Sequence, residues 1–126
     1  VYIMCELISS VAVCKLNLET GELTESNIIP LLPSGTSEPT RAHHRGGGGI
    51  VADESGNFIY ATLRNTVPGA VVALKRDAET GNVEIHKRAE SGGEIPRCIT
   101  CVGDDLVFVA NQEDRKLCCF KGKGEL

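Results

Sequence analysis

The stretch GIVADESGNFIYATLRNTVPGAVVALKRDAETGNVEIHKRAES, residues 49–91, decides the fold. It holds four short runs rich in apolar and β-branched residues: Gly49 to Ala52, Tyr60 to Arg64, Ala70 to Leu74 and Val83 to Ala89. Asp53, Glu54, Ser55 and Gly56 close the first run, and Glu79, Thr80 and Gly81 divide the third from the fourth. Glycine reaches positive φ without steric cost, so an acidic-glycine or Glu-Thr-Gly step between two apolar runs marks a hairpin turn. No run shows the 3.6-residue spacing of an amphipathic helix. The stretch therefore predicts four antiparallel strands joined by tight turns.

The same unit recurs on both sides. Tyr2 to Glu6, Tyr60 to Arg64 and Phe108 to Gln112 align on their aromatic residue. After a polar break each is followed by a second apolar run: Val11 to Leu16, Ala70 to Leu74 and Lys116 to Phe120. These second runs lead to glycine turns at Gly21, Gly81 and Gly124, the first two inside Glu-Thr-Gly. Leu23 to Ile29 is the fourth strand of the first unit, and Arg97 to Val102 the first strand of the third, closed by Gly103, Asp104 and Asp105. Four antiparallel strands repeated every ~40–60 residues is the pattern of a β-propeller blade. The expected class is all-β, a propeller fragment of about two and a half blades. Residues 1–30 read as a partial blade, 31–48 as an insertion, 49–91 as a complete blade and 92–126 as a second partial blade. An independent β-sandwich or meander is the alternative.

The chain has 126 residues, 13 of them basic and 17 acidic, for a formal charge of −4. Nucleic-acid binding needs a clustered cationic excess, so it is not expected. No apolar run approaches the roughly 20 residues that span a bilayer, so no membrane partner is expected either. The start lacks the basic region and cleavage site of a signal peptide, which together with cysteine usage points to the cytoplasm. Both ends read as internal to a longer protein. Closed propellers typically have about four blades or more, so this segment alone is expected to leave sheet faces uncovered and not to fold autonomously. The sequence carries no reading of oligomeric state.

Cys5, Cys14, Cys98, Cys101, Cys118 and Cys119 sit mostly inside strand-like runs. Cys98 and Cys101 form a CxxC string, yet a zinc site wants a second pair and a redox site a helix N-terminus. The six are expected to be reduced, packing as small hydrophobes. No cofactor and no metal is expected.

The repeat also nominates a site. Glu6, Arg64 and Gln112 occupy equivalent positions, four residues after the aromatic, where the second strand ends. That end lies beside the start of the first strand, where Arg97 sits. Glu6, Arg64, Gln112 and Arg97 should therefore share one face of the propeller, either as a pocket or as a solvated rim of charge. His43 and His44 precede Arg45 and four glycines, Gly46 to Gly49. This stretch leads into a first strand on that same face, as a ligand-approach loop or as a flexible insertion.

At these residues the chain resembles the lactonase family of seven-bladed propellers, which includes cycloisomerase-type 6-phosphogluconolactonases and carboxy-muconate cyclases. The resemblance rests on Cys5 to Val13, on Glu54 to Arg64, on Gly93 to Arg97 (Gly-x-x-Pro-Arg) and on Ala110 to Gln112 (Ala-Asn-Gln). Cys5 and Leu63 stand where the family pattern has asparagine, and Glu54 where it has a turn proline. The resemblance implies a seven-bladed fold and metal-independent opening of a sugar lactone such as 6-phosphogluconolactone. It implies Glu6, Arg64 and Arg97 as catalytic residues, with Asn111, Gln112, His43 and His44 contacting the small-molecule lactone. Two other functions remain open: a muconate-type cycloisomerase, and a non-catalytic scaffold that binds a protein or small ligand.

Overall fold

The computed structural model describes residues 1–36 and 46–126, so His43 and His44 lie outside the described residues. Three antiparallel sheets follow one another along the chain. The first orders β1 (Tyr2–Cys5), β2 (Ser10–Leu16) and β3 (Leu23–Pro30). The second is a complete four-stranded blade, β4 (Gly47–Ala52), β5 (Phe58–Leu63), β6 (Ala70–Arg76) and β7 (Val83–Glu90). The third holds β8 (Pro96–Val102), β9 (Leu106–Asn111) and β10 (Lys116–Lys121). The protein is all-β with propeller blades, as the repeat predicts. One boundary moves: β4 begins at Gly47, so Gly47 and Gly48 are strand residues rather than part of the insertion.

The middle blade is covered on both faces, which explains its unbroken apolar runs. Successive strand residues point to opposite sides. Ile59, Ala61, Leu63, Val72 and Leu74 pack with Val11, Val13 and Leu31 of the first blade. Tyr60, Val71 and Ala73 point the other way and pack with Ile99, Val107 and Val109 of the third.

The blades match residue for residue. Cys5 pairs with Ser10, Leu63 with Ala70 and Asn111 with Lys116, which makes Cys5, Leu63 and Asn111 equivalent. Bulges fall at the same place in two blades, between Val13 and Cys14 and between Ala73 and Leu74. The aromatics that align the sequence also join the blades. The Tyr2 hydroxyl donates to the Gly81 carbonyl at 2.6 Å, and the Tyr60 hydroxyl accepts from the Gly124 amide at 2.9 Å. Each bond runs from a second strand to the glycine turn of the next blade. The equivalent Phe108 has no hydroxyl.

β4 slots between neighbours because it starts on glycines. A Cβ on Gly46 would lie 1.3 Å from the Glu6 carbonyl oxygen, one on Gly47 1.8 Å from Met4 Cε, and one on Gly48 2.3 Å from the Pro96 carbonyl oxygen. The glycine tract thus brings the backbones of all three blades together at one rim.

Candidate active site

Glu6, Arg64 and Gln112 each follow the last residue of a second strand, Cys5, Leu63 and Asn111. Arg64 and Gln112 extend the ladder by one bond: their amides donate to the Gly46 and Ile95 carbonyls, both at 2.9 Å. Glu6 departs from that pattern. It opens a 3₁₀ turn, Glu6–Ile8, which ends on Ser9 in the left-handed region at φ 46°. The turn swings the Glu6 side chain toward the second blade.

There Glu6 Oε1 accepts a hydrogen bond from the Arg64 guanidinium and forms an ion pair with it. Arg64 Nε donates to the Gly47 carbonyl at 3.0 Å. The Arg64 side chain is 10% exposed and that of Glu6 60%. The guanidinium is therefore seated in the blade junction and the carboxylate faces solvent. One residue on, Asn65 Nδ2 donates to Ser9 Oγ at 2.8 Å, and both residues are buried.

Arg97 sits in a β-bulge. Pro96 pairs with Asn111 and Cys98 with Ala110, which leaves Arg97 as the extra residue. Before it, Ile95 is buried with φ 58° although it precedes a proline, a conformation costly for a β-branched residue. The Ile95 carbonyl held by Gln112 and the Glu94 amide on Asp114 Oδ1 at 3.3 Å fix this bend. A Cβ on Gly49 would lie 3.6 Å from the Arg97 carbonyl oxygen, so Arg97 enters at the same end of β4 as Arg64. Its side chain is exposed and makes no ion pair among the described residues. Gln112 is also exposed at this end. A solvent-facing carboxylate gripped by one guanidinium, with a second guanidinium uncommitted, can take a proton from water and hold an anionic group.

Asn111 has a different position. It is 2% exposed, its Nδ2 donates to the Ser91 carbonyl at 2.9 Å, and its Oδ1 accepts from Ser91 Oγ at 2.7 Å. The amide is committed inside the junction between the second and third blades. The equivalent pair one blade earlier is Leu63 and Leu31, both buried in one apolar cluster. Leu31 and Ser91 correspond because Ser10 pairs with Pro30 and Ala70 with Glu90. Leu63 in place of asparagine is thus matched by leucine at its partner position. The Leu31 carbonyl, left without an amide donor, accepts from Arg88 Nε at 3.0 Å.

Sequence reasoning missed Ser9, Asn65 and the packing role of Gly46 to Gly48. Only the tendency of Ser and Asn side chains to hydrogen-bond near turns hints at the first two. A concavity of about 600 Å³ lined by Lys75, Asp77, Thr80, Asn82 and Glu84 lies at the opposite end of the blade, away from these residues. All six cysteines carry free thiols. Burial, aided by the Asp53 and Asp104 carboxylates, pushes the Cys101 thiol up to about 11. Burial also raises the Tyr60 phenol above its ordinary value, against the lowering effect of the Gly124 amide.

Solved structures share this fold. The structure of the periplasmic gluconolactonase of Pseudomonas aeruginosa superposes with a TM-score of 0.83 and 24% identity, covering 98% of this chain and 32% of that one. A candidate 6-phosphogluconolactonase of Bacteroides fragilis gives 0.77 at 19% identity, over 95% and 31%. A Lactobacillus plantarum protein gives 0.78 at 22%, over 95% and 33%. The chain thus spans about a third of the length of these proteins. No curated protein sequence matches it. The family model "Lactonase, 7-bladed beta-propeller" matches residues 1–125, and the chain belongs to that family.

Proposed function

We propose that the complete propeller bearing this chain hydrolyses a sugar lactone that carries an anionic group, 6-phosphogluconolactone being the model substrate. The observation that supports this most is the Glu6–Arg64 pair set at the same blade end as Arg97. Glu6 takes a proton from the attacking water, and the water oxygen bonds to the lactone carbonyl carbon. Negative charge builds on the carbonyl oxygen and is met by a guanidinium. The ring C–O bond then breaks and the ring oxygen takes the proton back from Glu6, giving the open hydroxy acid. Arg97 holds the phosphate or carboxylate, with Gln112 beside it. Asn111 supports the junction rather than the substrate. The step uses no metal ion, and the free thiols favour a reducing compartment such as the cytoplasm.

The test is steady-state lactone hydrolysis by the complete propeller, corrected for the spontaneous rate. Glu6→Gln should lower kcat by roughly 10²-fold or more with little change in KM. Arg97→Lys should raise KM for a charged lactone more than for an uncharged one, because a single ammonium cannot reproduce the two-pronged guanidinium contact. Wild-type turnover no faster than buffer would overturn the proposal.

A further inference from the structure

We propose that Asn65 and Ser9 are positioning residues that lock the Glu6–Arg64 pair across the junction of the first two blades; this rests on the lactonase reading above. The pair joins groups 58 residues apart in sequence and on different blades. An exposed carboxylate on a short turn has several rotamers and gains little from one ion pair. Beyond the shared apolar core, a polar contact beside the pair can fix the two segments in register. The Asn65–Ser9 bond does so at 2.8 Å, and with Ser9 at 1% and Asn65 at 5% exposure water does not compete for it. Asn65 adjoins Arg64 in the chain, and Ser9 ends the turn that Glu6 begins. Ser9 is held at φ 46°, a backbone state that non-glycine residues adopt at a cost and that concentrates at functional sites. Ser9 stands at a position whose backbone suits glycine, and its hydroxyl gives Asn65 an acceptor that glycine lacks.

Ser9→Gly separates the two roles this position could have. Glycine adopts φ 46° freely, so folding is not harmed by the backbone, but the acceptor for Asn65 is removed. In the complete propeller Ser9→Gly should lower kcat on a charged lactone by about fivefold to tenfold, the scale of one buried hydrogen bond, with KM within about twofold of wild type. Asn65→Ala should do the same, and the double variant should lose less than the sum of the two single losses. A second readout does not need turnover: the NMR signal of the Arg64 Nε proton, which is bonded to Gly47, should be resolved and slow to exchange in wild type and broadened in Ser9→Gly. Wild-type kcat in Ser9→Gly with an unchanged Arg64 signal would overturn the lock, as would losses that simply add in the double variant. An inactive wild type whose Arg64 signal still depends on Ser9 would refute the lactonase reading and leave the lock standing.

Discussion

Asn111→Leu should destabilise the propeller more than its size change suggests. The side chain is 2% exposed and makes two bonds to Ser91, at 2.7 and 2.9 Å. Ser91 Oγ loses little, since the Gly93 carbonyl lies 2.9 Å away as a second acceptor. The Ser91 carbonyl loses its recorded side-chain donor inside the junction. Losing such a bond and leaving a buried acceptor bare costs about 2–4 kcal/mol, partly offset by the apolar gain of leucine. One blade earlier the apolar solution works because Arg88 Nε serves the Leu31 carbonyl. Asn111→Leu adds the leucine without the arginine. The assay is urea unfolding of the complete propeller, followed by far-UV circular dichroism. Asn111→Asp is the diagnostic partner: it keeps the shape and the Oδ1 acceptor but has no Nδ2 donor and sets a carboxylate against the Ser91 carbonyl. Aspartate should be at least as harmful as leucine. A loss under about 0.5 kcal/mol for leucine, or an aspartate variant milder than the leucine one, would refute the reasoning.

Tyr60→Phe should cost about 1–2 kcal/mol, because the buried Gly124 amide loses its acceptor. The Tyr60 pKa is raised on folding, so its contribution is complete below the unfolded phenol value near 10 and falls away as pH rises beyond it; Tyr60→Phe should flatten that alkaline loss. By the same sign the Cys101 thiol, raised from 9.0 to about 11, should make stability decline between these two pH values, and at pH 8 it should react more slowly with a maleimide than a free cysteine does. Gly48→Ala should cost several kcal/mol in urea titration, since its Cβ meets the Pro96 carbonyl at 2.3 Å, whereas Gly21→Ala, with nothing within 4 Å but φ 73°, should cost about 1–2 kcal/mol. Prolonged dialysis against a chelator should leave lactone turnover unchanged.

The fold was legible because a blade is a local pattern. Strand, turn and strand lie within a few tens of residues, and Gly21, Gly81 and Gly124 mark the turns in the sequence itself. Equivalent positions then carry over from one blade to the next, which is how Glu6 and Arg64 could be set at one face without coordinates. The repeat did not tell that Glu6 leaves the pattern through a 3₁₀ turn and meets Arg64 directly. The Asn65–Ser9 contact joins partners 56 residues apart, and neither residue looks unusual where it stands. The Ala-Asn-Gln resemblance sets Asn111 at the substrate, and nothing local points to its partner Ser91, which lies 20 residues back. The tract from Gly46 suggested room for a ligand, but the room at Gly46, Gly47 and Gly48 is filled by Glu6, Met4 and Pro96.

The tyrosine bonds between blades give the series a direction. Tyr2 reaches forward to Gly81 and Tyr60 is met by Gly124, so each blade is fastened by the one made after it on the ribosome. Each tyrosine hydroxyl thus finds its partner only when the following blade is in place. Phe108 interrupts the series. β9 therefore carries no hydroxyl for a clasp of the kind Tyr2 and Tyr60 make with the blade after them.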